Sequence, residues 1–158
     1  MTCEFDIEMV DRNEAIEVMD RSVDTRVRLW HRTVPYSDDF VAVCVELSGA
    51  GMVASMRGLI LDVYAGRSLP AFVSALERDF AGWQGIRTWE SMDHELQIEA
   101  RHLNLGHVRL DWSLNRQPSE SLSWAATVVT YLEAGEQLRQ FAAAIHRFVL
   151  PDEVEHRS

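Results

Sequence analysis

The chain has 158 residues, 15 basic and 25 acidic, and a net charge of −10. With 47% hydrophobic residues, and a length that hides roughly 68–70% of the unfolded surface on folding, it can bury a proper core; a disordered tail, a fibre or a metal-stapled miniature is excluded. All 15 basic residues are Arg, so the chain has no Lys for a phosphate-binding loop or for Schiff-base and pyridoxal chemistry.

The Arg bias reads as genomic, since Arg codons are GC-rich and Lys codons AT-rich, and implies a high-GC bacterium. Excess acid argues against nucleic acid as a partner, because phosphate binding runs on cationic side chains releasing counterions. The opening residues hold many carboxylates and no basic stretch before an apolar run, so a secretion signal is not expected. The longest fully apolar run, Phe40 to Val45, is far short of the ~20 residues that cross a bilayer. The expected location is the cytoplasm. There Cys3 and Cys44 read as small hydrophobes and not as a disulfide.

In chain order, Cys3, Phe5, Ile7 and Met9 alternate with Glu4, Asp6 and Glu8, which predicts a strand with one buried face. Ile16 and Val18 follow after an Asp-Arg-Asn turn. Arg26 to Thr33 alternates again, with Val27 and Leu29 against Arg26, Arg28 and Trp30, and Pro35 and Ser37-Asp38-Asp39 end it. Phe40 to Leu47 and Val53 to Tyr64, joined by Ser48 to Gly51, read as a hairpin. Ser68 is placed as the N-cap of a helix to Ala81, whose apolar stripe is Leu69, Phe72, Val73, Leu76 and Phe80.

After Gly82 the period returns to two. Leu96, Ile98 and Ala100 face one way and Glu95, Gln97, Glu99 and Arg101 the other. Val108, Leu110, Trp112 and Leu114 share a face, opposite His107, Arg109, Asp111 and Ser113. A further strand over Leu122 to Leu132 points Leu122, Trp124, Ala126 and Val128 inward. A closing helix spans Gly135 to Val149 on a stripe of Leu138, Phe141, Ala142, Ile145, Phe148 and Val149, and Pro151 ends it. The expectation is one α+β domain over residues 1–150, an antiparallel β-sheet with two amphipathic helices packed on it, and a solvated tail over 151–158. No internal repeat is visible.

Candidate chemistry is sparse. His94, His102 and His107 do not converge in these registers, as a zinc site would require, and no metal or other cofactor is expected. There is no Gly-x-Ser-x-Gly and no glycine-rich phosphate loop. Glu95 and Glu99 share a strand face at ~13 Å, beyond the ~5–9.5 Å of glycosidase pairs. The segment Gly82 to Ser91 has the densest Trp and Gly. It can be read as a pocket with Trp83, Arg87, Trp89 and His107 in its wall, or as a chain reversal whose indoles plug the seam between helix and sheet. Up to Asp24 there are eight acids against Arg12 and Arg21, which places −6 of the total −10 in this stretch. Glu4, Asp6 and Glu8, with Glu17 and Asp20 nearby, are therefore the candidate surface for a basic protein partner.

The residues Gly82-Trp83-Gln84-Gly85-Ile86-Arg87-Thr88-Trp89-Glu90-Ser91, Glu99-Ala100-Arg101-His102, Gly106-His107-Val108-Arg109-Leu110 and Leu132-Glu133-Ala134-Gly135-Glu136-Gln137-Leu138 carry a resemblance. On them the chain, from about Phe40 to the last helix, resembles a family of small uncharacterised proteins common in actinobacteria. That family is similar in size and strand-helix order to immunity proteins of contact-dependent toxin systems. The resemblance implies a non-catalytic binding protein whose partner is a basic, toxin-like protein, and brings no catalytic residues; the alternative is a small-molecule binder or enzyme using the Trp/Arg/His pocket.

Overall fold

The computed structural model describes residues 15–117 and 121–151. The strand expected over Cys3 to Met9, with Glu4, Asp6 and Glu8, lies outside the described residues, as does the tail from Asp152.

Four strands, β1 (Ala15–Asp20), β2 (Thr25–Thr33), β3 (Val41–Gly49) and β4 (Met52–Asp62), form an antiparallel meander followed by helix α1 (Ser68–Arg78). The pattern then recurs as β5 (Ile86–Glu90), β6 (Leu96–Leu103), β7 (His107–Arg116), β8 (Trp124–Glu133) and α2 (Glu136–Val149). The α+β class and the antiparallel pairing stand, but the strands make two four-stranded sheets and not one. Helix α1 separates β4 from β5, so the ladder stops at β4. The sheets meet through side chains instead: the Asp20 carboxylate accepts the Tyr131 N–H at 2.7 Å, and the Thr25 hydroxyl donates to the Val129 carbonyl at 2.6 Å. The fourfold-strand-then-helix order is thus an architectural repeat that the sequence does not display.

Period two places the strands because alternate side chains enter the core. Ile16 and Val18 stand opposite Leu29 and Val27, which stand opposite Val45 and Leu47. Across β3 and β4, Val43 pairs with Leu59 and Val45 with Met56, so one residue faces two. Gly58, at φ +66°, takes up this bulge, and the inward parity of β4 is kept beyond it. In the second half, Trp112 is fully buried, stands edge-on to Phe141 with ring centres 6.0 Å apart, and donates its indole N–H to Thr130 at 3.0 Å. Leu76, Phe141 and Ile145 are all buried, and one continuous core joins both sheets and both helices.

Each helix is capped by a carboxylate from the end of the preceding strand. Asp62 Oδ1 accepts the N–H groups of Tyr64 and Gly66, each at 2.8 Å, while Oδ2 accepts the Ser68 N–H at 2.9 Å and the Ser68 hydroxyl. Ser68 is therefore not the N-cap, as expected from sequence, but the first helical residue, and its hydroxyl is a donor to Asp62. In the second half Glu133 Oε1 accepts the Gly135 and Glu136 N–H groups, and Gln137 returns an acceptor to the Glu133 N–H at 2.7 Å. This is a reciprocal arrangement of the capping-box type.

Other expectations shift. Helix α1 ends at Arg78, since Asp79 leaves helical geometry, and Phe80 is 55% exposed instead of closing the apolar stripe. Strand β4 ends at Asp62, before Tyr64. Strand β8 begins at Trp124, and Leu122 is 55% exposed instead of inward. Strand β5 was not expected at all.

Candidate functional site

Of the acids singled out in sequence, Glu17 and Asp20 fall on β1. The Glu17 side chain is only 5% exposed and faces Arg26 at 3.7 Å, and Arg26 also reaches Glu46 at 3.7 Å. Asp20 lies at the joint between the sheets. Burial would raise its carboxyl, but hydrogen bonds from Ser22 and from the backbone of Tyr131 and Val23 outweigh that and hold it below the ordinary carboxylate range. Both groups are engaged within the molecule.

The Trp-rich segment is divided between packing and edge. Trp89 is buried, and its indole N–H donates to the Ser68 hydroxyl at 3.0 Å, which ties β5 to the start of α1. Arg87 lies over the Trp83 ring at 4.8 Å and pairs with Asp79 at 2.8 Å. Trp83 also meets His102 edge-on at 5.1 Å. A carbonyl can only accept, so His102 Nε2 donates to the Phe80 carbonyl, 2.8 Å away. Trp83 Nε1 is buried without a hydrogen-bond partner among the described residues. Arg87 and Trp89 pair with Ala100 and Ile98, on the inward face of the second sheet, whereas His107 precedes the buried Val108 and so takes the outward face. The structure brings Trp83, Arg87 and Trp89 to one seam and leaves His107 out of it.

A surface built from a segment read in the sequence as turn, with Phe40 and Tyr64 read as strand ends, lies at one end of the first sheet. In the β2–β3 connection Tyr36 is 76% exposed and stands edge-on to Phe40 at 5.8 Å, beside the exposed Asp38 and Asp39. Tyr64, in the β4–α1 connection, is 68% exposed. The two connections are tied together: Ala65 N–H donates to the Asp39 carbonyl at 3.0 Å, Phe40 N–H to the Ser37 carbonyl at 3.0 Å, and Asp62 holds the second loop by the bonds above. Gly66, at φ +79°, closes this knot; a Cβ there would stand 2.7 Å from Val149. Large aromatics in loops of turn residues were the available sequence signal.

A separate cleft of about 930 Å³ runs between β1 and α2. Glu17 and Arg28 line it from the sheet, and Gln140, Ala144 and Arg147 from the helix. Among the described residues no group of three or more His, Cys, Asp or Glu is placed to hold a metal ion, and no helix is long and apolar enough to cross a membrane.

The class defined by these features is an α+β protein of two strand-strand-strand-strand-helix halves with an exposed aromatic and acidic loop surface. The chain belongs to DUF6228, a family of unknown function whose model matches residues 18–152. No curated protein and no solved structure matches it.

Proposed function

We propose that the protein is a non-catalytic binding protein that holds a basic protein partner, in the manner of an immunity protein neutralising a toxin, through the surface of Tyr36, Asp38, Asp39 and Tyr64. The observation that carries this reading is the exposure of two tyrosines on loops that hydrogen bonds already hold in place. Tyr supplies large contact area at low entropic cost and is enriched at binding hot spots. Preorganised loops lose little freedom on binding. Two exposed carboxylates beside the rings favour a cationic partner, chiefly through the association rate, and the overall charge of −10 acts in the same direction.

The test uses the protein encoded beside this chain's gene, with association followed by surface plasmon resonance at low and physiological salt. Binding is expected, with an association rate at least tenfold lower for the triple variant Tyr36→Ala, Asp38→Arg, Asp39→Arg and an unchanged melting temperature. Failure of that protein to bind, or an association rate that the triple variant leaves unchanged, overturns the reading.

A further inference from the structure

The cleft between β1 and α2 shares no residue with the loop surface. One wall is β1 itself, from Ala15 to Met19, and on the other Ala143 and Ala144 stand between Gln140 and Arg147. Among the described residues strand β1 ends its sheet and its second edge carries no ladder. The backbone N–H and C=O groups of such an edge are a template for another extended segment. The two alanines leave depth on the facing helix where longer side chains would fill it.

Charge then selects the occupant. The chain carries −10, yet among the described residues the charged lining of the cleft is Glu17 with Arg28, which is buried over the Trp30 ring, and Arg139 and Arg147 on the helix. Arg139 and Arg147 are eight residues apart, about 12 Å along a helix. Residues i and i+4 of a strand, which share a face, are ~13 Å apart. Arg139 is held by Glu136, with its Nε 2.8 Å from Oε2; that pair is exposed, so exchanging it for another carboxylate costs little.

We propose that this cleft takes an extended acidic segment of a partner protein as an added strand on β1, with carboxylates four residues apart reaching Arg139 and Arg147. Main-chain bonds to β1 supply affinity for any extended chain, and the two guanidinium groups supply the preference for acid, the division of labour usual in strand addition.

The probe is a fluorescein-labelled octapeptide, Val-Glu-Val-Thr-Val-Glu-Val-Thr, titrated into the full chain and followed by anisotropy. Saturable binding is expected, at least tenfold weaker for the Arg139→Glu, Arg147→Glu double variant and lost in Ala144→Trp, which fills the cleft. The same peptide with Lys in place of Glu is expected to bind at least tenfold more weakly. Hydrogen exchange of the complex should show new protection of alternate amides between Ile16 and Asp20, those pointing away from β2. Absence of saturable binding, equal binding of the Glu and Lys peptides, or protection confined elsewhere overturns the proposal. Binding that appears only when Glu4, Asp6 and Glu8 are replaced by Lys also overturns it, because the occupant would then be the chain's own beginning. None of these results bears on the Tyr36 and Asp38 surface, so the two readings fail separately.

Discussion

The two halves of the chain run through the same order of elements but place their closing carboxylates in different surroundings. Asp62, at the end of β4, is 5% exposed and serves four donors across a five-residue loop; Glu133, at the end of β8, is exposed and serves a two-residue connection. The same local device therefore has different weight. A donor that loses its acceptor in the interior keeps its desolvation cost, whereas one at the surface turns to water. The outward faces differ as well. In the first half Ala42 and Cys44 on β3 are buried although their neighbours Val41, Val43 and Val45 already fill the inner side. In the second half the outward face carries Arg109, held to Asp111 at 2.8 and 3.0 Å, with Arg101 3.5 Å from the same carboxylate.

The helices give the largest expected contrast. Phe141→Ala removes a buried ring from the Trp112 contact and should cost ~3–5 kcal/mol through the cavity left behind. Phe72→Ala on α1, where the ring is only partly buried, should cost about 1–2 kcal/mol. Chemical denaturation checks both, and equal losses would break the contrast. Next come the caps. Asp62→Ala should lower stability by about 3 kcal/mol by stranding buried donors, against about 1 kcal/mol for Glu133→Ala; a smaller loss at Asp62 than at Glu133 would remove burial as the deciding factor.

Smaller effects follow from pH, with opposite signs at two carboxylates. Asp20, at the joint of the halves, is held below its ordinary value, so its contribution is present above the unfolded value of about 3.9 and is lost as pH falls through the lower folded one. Urea titrations between pH 6 and 3 should show the wild type losing more stability on acidification than Asp20→Asn. Glu95, in the second half, is raised by burial and by repulsion from Asp93, with Arg116 partly offsetting both. Its charged form therefore costs stability at neutral pH, and that stability returns as pH falls through the raised value. Glu95→Gln should be neutral to slightly stabilising at pH 7, and a clear destabilisation would contradict the sign.

Where sequence reading succeeded, alternation or a helical stripe expressed one buried face, as in Val27 and Leu29 or in Phe141, Ile145 and Phe148. It failed where burial came from elsewhere. Strand β5 is an edge strand whose inward residues are Arg87 and Trp89, so no apolar alternation announces it. Phe80 continues the spacing of the α1 stripe, but the backbone turns away at Asp79. The Trp83 and Arg87 contacts depend on His102 and Asp79, which come from other elements, and His107 was excluded from that seam by strand parity. Tyr36 and Tyr64 were illegible as a pair because a hydrogen bond between loops 26 residues apart, Ala65 to Asp39, brings them to one end of the sheet.

The sequence by itself determined the α+β class, the antiparallel pairing, most strand and helix positions and the buried stripes, because these follow from local periodicity and from the need to bury apolar surface. Only the tertiary structure decided that the strands divide into two sheets, that Glu17 and Asp20 are engaged inside the molecule, and that a cleft with Arg28, Arg139 and Arg147 in its lining opens beside β1 in an acidic protein. Those outcomes depend on which side chains distant segments present to one another, and neither spacing nor composition along a single chain encodes that directly.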